Sequence, residues 1–132
     1  MFSVIYTPTE GEAIADYSKI FGRPEGCFRN IDDVQRVEDD IKQWGNPEDI
    51  DLIVVSDGQQ ILGIGDQGVG AILISVAKLV IYTLCAGIHP SRTLPVVLDC
   101  GTDVSGFRTN CAVSANQKCR TRTFWTTNYI LV

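Results

Sequence analysis

The apolar positions of this chain fall into short runs separated by turn residues. Phe2-Ser3-Val4-Ile5-Tyr6 reads as a short extended run that ends at Thr7-Pro8. Thr9 and Glu12 have the spacing of a capping box, which predicts a helix over 10–20. Asp32 with Gln35 marks a second helix start, running to Trp44 and stopped by Gly45-Asn46-Pro47. Ile50 to Val55 is a near-continuous apolar run, predicted as a buried strand. Asp57-Gly58 then predicts a tight turn into Gln60-Ile61-Leu62-Gly63. A glycine-rich loop leads into a long apolar helix over 69–86, with Gly87 as its stop. Leu94 to Leu98 predicts another buried strand. This order predicts an α/β fold: a partial parallel-sheet domain with flanking helices and a disordered or irregular C-terminal tail.

Composition bounds the class. The 132 residues, 45% hydrophobic and 20% charged, suit one globular domain. The formal charge of −5 argues against nucleic acid or an anionic membrane as partner. Five cysteines form no C-x-x-C pair, and the start carries no secretory signal, so a reduced compartment is expected. Charge is unevenly placed. All 16 acidic residues and seven basic ones lie in 1–103, whereas 104–132 holds four basic residues and no acid. Residues 104–132 also lack a sustained period of 2 or 3.6, and they read as a separate basic tail.

The long apolar helix has the length of a membrane span, but Lys78 sits near its middle and its flanks carry no basic cluster. It reads as a buried helix of a soluble core, with no membrane partner. A lysine there has two readings: its amine is a base with a pKa lowered by desolvation, or its stem packs while the amine reaches water. Tyr6, at the end of the first run, is either a proton donor assisted by a nearby cation or a half-buried aromatic. Gly63-Ile64-Gly65-Asp66-Gln67-Gly68 satisfies G-x-G-x-x-G in a strand-to-helix context. Asp66 would set a negative charge where pyrophosphate sits, and no acidic residue lies between Gln67 and Leu98 to hold a ribose. A turn lining an active site is favoured over a cofactor cradle, although a small dinucleotide-binding oxidoreductase built on the loop stays open. His89 is the single histidine, and the sequence offers no metal-ligand cluster.

Ordered motifs then meet a family pattern. Tyr6-Thr7-Pro8-Thr9-Glu10-Gly11-Glu12-Ala13, the stretch 55–68, Ala77-Lys78-Leu79, Cys85-Ala86-Gly87-Ile88 and Leu94 to Thr102 resemble the malic enzymes, over about residues 2–103. The resemblance implies oxidative decarboxylation of (S)-malate to pyruvate and carbon dioxide with NAD or NADP and a Mg or Mn ion. It implies Lys78 as general base and Tyr6 as general acid. Gln60 stands where many members have an arginine for substrate carboxylate, and Asp66 is a weaker substrate-binding candidate. No residue of this chain is assigned to cofactor or metal. The implied domain, 1–103, is truncated at both ends, 104–132 lies outside the family pattern, and the fragment is expected to be inactive alone. Homo-oligomers or association with full-length subunits are implied as partners, and the mitochondrial matrix or the cytoplasm as compartment. A non-catalytic interaction module is the other class left open.

Overall fold

A computed structural model describes residues 2–20, 26–30, 34–61, 63–101 and 129–131. Among these residues five α-helices, α1 (Phe2–Ile5), α2 (Thr9–Ala15), α3 (Tyr17–Ile20), α4 (Val37–Lys42) and α5 (Ile72–Ala86), accompany four strands. The strands are β1 (Cys27–Asn30), β2 (Leu52–Ser56), β3 (Thr93–Asp99) and β4 (Tyr129–Leu131), in the spatial order β1-β3-β2-β4. β3 runs parallel to both β1 and β2, with Cys27 opposite Val96 and Leu52 opposite Thr93. β4 pairs antiparallel with β2, Val54 opposite Ile130. The predicted α/β class and parallel pairing hold. Of the tail, only the three residues of β4 are described.

β2, α5 and β3 form a β-α-β unit. Leu52 and Val54 of β2 pack under Leu79 of α5 on one face of the sheet. Cys27, Leu94 and Val96 meet Ile41 of α4 on the other. A third cluster joins Ile14 of α2 and Tyr17 of α3 to Ile61, Val69, Ile72, Ile74 and Val97. Thus α5 lies between the sheet and the N-terminal helices. Gly68–Ala86, a 3-10 turn plus α5, is long and apolar enough to cross a membrane, but Ile72, Ile74, Ser75, Ala77 and Leu79 are buried in this fold.

Several elements depart from the sequence reading for identifiable reasons. Phe2–Ile5 is helical, not extended; Val4 is exposed and its neighbours Ile5 and Tyr6 are half-buried, so helix packing overrides strand propensity. The capping box is absent: Pro8 is the N-cap of α2 and makes no side-chain bond, while the Thr9 hydroxyl donates to the Ser3 carbonyl at 2.9 Å. The helix predicted over 10–20 breaks at Asp16 into α2 and α3. The second helix is short, a 3-10 turn at Val34–Arg36 followed by α4; the Asp32 start lies outside the described residues. Among the described residues the segment just after Asp57-Gly58 is not a strand, because the chain closes into a loop there.

β1 was not anticipated. It holds only four residues and carries Arg29, which pairs with Asp40 on α4. Pro95 sits in the central strand, where a missing N–H is ordinarily costly. Its carbonyl faces Gly26, the residue just before β1 begins, so the absent donor falls outside the ladder.

Candidate active site

Tyr6 lies in the turn between α1 and α2, whose Thr7–Pro8 peptide is cis. The Glu10 N–H donates to the Tyr6 carbonyl at 2.5 Å, and the Thr9–Ser3 bond closes the same turn. The half-buried ring of Tyr6 packs against the cluster that contains Ile72 and Ile74 of α5. Burial pushes its phenol above the usual tyrosine range, and the nearby Glu10 charge adds to the rise. The charge acting on the phenol is therefore negative, where a helping cation was expected.

Lys78 follows Ile74 by one helical turn on α5. At about 100° per residue, Lys78 and Ile74 lie on one flank of the helix and Ser75 lies beside them, facing the sheet. The Ser75 hydroxyl donates to the Val96 carbonyl at 3.3 Å, which fixes that rotation. The cluster that receives Tyr6 includes Ile74, one turn before Lys78. Lys78 is half-buried, and burial lowers its amine below the usual lysine range. Water-stripping of this kind makes a lysine easier to deprotonate.

The glycine loop folds back on itself. The Gln67 N–H donates to the Gly58 carbonyl at 2.9 Å, Ile61 N–H to Gly65, Ile64 N–H to Ile61, and Gly70 N–H to Gln67. The Asp66 carboxylate accepts from the Gly68 N–H at 2.9 Å. These donors are engaged within the loop, and an anion of the protein itself holds the Gly68 amide. A phosphate cradle needs such amides free, so the loop does not fit a dinucleotide. Gln60 is exposed at the loop's surface, and Asp66 is half-buried within it.

Two groups escaped the sequence reading. Glu10 Oε1 and Gln67 Oε1 are buried with no hydrogen-bond partner among the described residues. Burial raises Glu10 to about 7. Its only sequence signal is the i, i+4 spacing from Tyr6. Gln67 is almost fully buried, and its amide nitrogen donates to the Ile64 carbonyl at 2.9 Å. Among the described residues, no group of three or more His, Cys, Asp and Glu is placed to hold a metal ion.

The described fold is an α/β domain in which Lys78 and Tyr6 are both half-buried. Residues 1–128 match the family described as malic enzyme, N-terminal domain, and the chain belongs to that family. The match extends past residue 103. The chain is 54% identical over 100 residues to the mitochondrial NAD-dependent malic enzyme of Saccharomyces cerevisiae, covering 76% of this chain and 15% of that protein. It is 46% identical over 124 residues to the NAD-dependent malic enzyme of Schizosaccharomyces pombe, covering 92% and 22%. It is 46% identical over 123 residues to NAD-dependent malic enzyme 3 of Bacillus subtilis, again covering 92% and 22%. The chain therefore spans less than a quarter of the length of these relatives.

Proposed function

We propose that this chain supplies the proton-transfer residues of an NAD-dependent malic enzyme, which converts (S)-malate to pyruvate and carbon dioxide. The observation that carries the reading is Lys78: an amine held partly out of water, in an apolar helix, one turn after Ile74 of the cluster that receives Tyr6. In this reading the neutral Lys78 amine takes the proton of the malate C2 hydroxyl as C2 is oxidised. After decarboxylation, Tyr6 gives its phenol proton to C3 of the pyruvate enolate as the C2 carbonyl re-forms. Burial keeps that phenol protonated at neutral pH, which suits a donor.

NAD as hydride acceptor follows the names of the relatives, and Mg or Mn follows the family's reaction. The described residues fit neither group: the glycine-loop donors are engaged, and no metal cluster is present among them. No step is assigned to this chain through either one. Gln60 lacks the charge for a bidentate grip on a carboxylate, and Asp66 repels one, so neither is the main substrate anchor in this reading. The 132 residues alone are inactive, and the assembly works in the mitochondrial matrix or the cytoplasm. The test is Lys78→Ala and Tyr6→Phe in the full-length enzyme. Loss of turnover by 10²-fold or more in each is expected, on the order of a proton-transfer group's worth; near-normal turnover in both removes the assignment.

A second reading has its own observation. Val80 and Leu84 are exposed on the C-terminal half of α5, which favours an interaction module that pairs with full-length subunits. Co-purification with the complete enzyme, abolished by Leu84→Glu, is its expected mark. Unchanged co-purification in that variant counts against it.

A further inference from the structure

The apolar segment Gly68–Ala86 is buried at its start and uncovered toward its end. Val80 and Leu84 of α5 are 39% and 56% exposed, and Leu73 and Val76 are half-buried. Their spacing, i, i+3, i+7 and i+11, sets all four on one stripe along the helix. Ser75 and Leu79 face the sheet, through the Val96 carbonyl and the cluster with Leu52 and Val54. At about 100° per residue the stripe lies roughly 120° round from them and roughly 150° from Lys78. It is therefore a face separate from the amine and from the sheet.

The stripe is also free of charge. Lys78 is the single charged residue of α5, and no acid lies between Gln67 and Leu98, although all 16 acidic residues fall within 1–103. An apolar partner seated here strips water from no carboxylate of α5, so its burial carries no cost of desolvating a charge.

Area and length identify the occupant. Apolar residues at three- and four-residue spacing form a seam into which a second helix packs. Four partly exposed side chains offer only a fraction of the roughly 800 Å² per partner that separate chains bury in a stable complex. A tethered helix needs no such area, because the link holds it at an effective concentration of about millimolar. This chain spans less than a quarter of the length of the relatives above, so a full-length malic enzyme holds ample polypeptide to supply that helix.

We propose that Leu73, Val76, Val80 and Leu84 seat an apolar helix from the part of a full-length malic enzyme that lies outside these 132 residues. The proposal goes beyond the proton-transfer reading and opposes the pairing reading, because within a complete subunit the stripe is already covered.

The test compares Leu84→Glu and the milder Val80→Ser in the 132-residue chain and in a full-length enzyme that carries this domain. In the 132-residue chain the stripe meets water, and Tm is expected to move by less than about 2 °C. In the full-length enzyme the same changes put a carboxylate or a hydroxyl into an apolar seam. Tm is expected to fall there by at least about 5 °C for Leu84→Glu and by less for Val80→Ser. Hydrogen exchange of the wild type gives a reading that needs no variant. Amides 80–86 are expected to exchange at least about tenfold more slowly in the full-length enzyme than in the 132-residue chain. An unchanged full-length Tm in both variants, or equal exchange rates, overturns the proposal. So does a dimer of the 132-residue chain, seen by sedimentation and dissolved by Leu84→Glu, which makes a second copy the occupant. Co-purification with the complete enzyme that Leu84→Glu abolishes overturns it likewise. Turnover does not enter this test, so a Lys78→Ala enzyme that kept its rate would end the proton-transfer reading and leave this proposal standing.

Discussion

The Ser75 hydroxyl donates to the Val96 carbonyl across 21 residues of sequence, and Ser75 is wholly buried. This bond fastens α5 to the central strand one turn before Lys78, and so sets which flank of the helix carries the amine. Ser75→Ala should lower the stability of the chain by about 1 kcal/mol, the net worth of one buried hydrogen bond. Ser75→Val should cost more, because a branched side chain has no room there. Urea unfolding checks both, and an unchanged midpoint in both variants would show that packing alone holds the helix in register.

Gly58 and Gly63 both adopt left-handed backbone, at φ +73° and +79°, yet they should respond differently to alanine. A Cβ at Gly58 would collide with the carbonyl oxygen of Gly68, whereas one at Gly63 meets open space. Gly63→Ala carries only the backbone penalty, about 1 kcal/mol. Gly58→Ala adds overpacking of about 1–3 kcal/mol and pushes the loop apart where Gln67 N–H meets the Gly58 carbonyl. Thermal unfolding of the two variants side by side reads the difference. Equal losses would mean that the loop yields freely.

The same loop shows where sequence reading reached and where it stopped. β2, β3, α5 and its left-handed stop at Gly87 were legible, because long apolar runs and a terminal glycine are local signals. β1 was not, since its Arg29 is matched by Asp40 on a distant helix rather than by any alternation in its own strand. Asp57-Gly58 looked like a hairpin turn, but Gly58 instead receives Gln67 from nine residues on. Tyr6 and Lys78 stood out by type and place. Glu10 did not, because nothing local marks a carboxyl whose oxygen will be buried in the folded chain.

Glu10 also predicts a stability profile. Its midpoint rises from 4.5 to about 7 through burial, so the folded chain binds more protons than the unfolded chain between those values. Stability contributed by the neutral carboxyl is therefore fully present below about pH 4.5 and is lost as pH climbs through 7. Carboxylates such as Glu38, lowered by their Lys42 partner, act in the opposite sense at lower pH. Comparing wild type with Glu10→Gln isolates the one group. The variant should gain on wild type between pH 5 and 8, as measured by denaturant unfolding across that range. A constant difference between the two would place Glu10 in water.

Lys78 should show the opposing demands of chemistry and folding. Among the described residues no hydrogen bond or ion pair holds its amine, and burial alone lowers its midpoint. The ammonium therefore costs the folded chain something that an apolar side chain of similar length would not. Lys78→Met keeps the packing of the stem beside Ile74 and removes the charge. After allowance for the solvent that a half-exposed group still meets, the gain should be about 0.5–1 kcal/mol. That corresponds to a rise in Tm of a few degrees for a chain of this size, on the order of 2–6 °C. The sign of the effect is diagnostic, because a lysine kept for structure loses stability when replaced, whereas a lysine kept for its proton chemistry gains it. The full-length enzyme carrying the same substitution should be more stable and without turnover. A destabilised Lys78→Met chain would instead mean that the amine reaches solvent or a partner and helps to hold the fold.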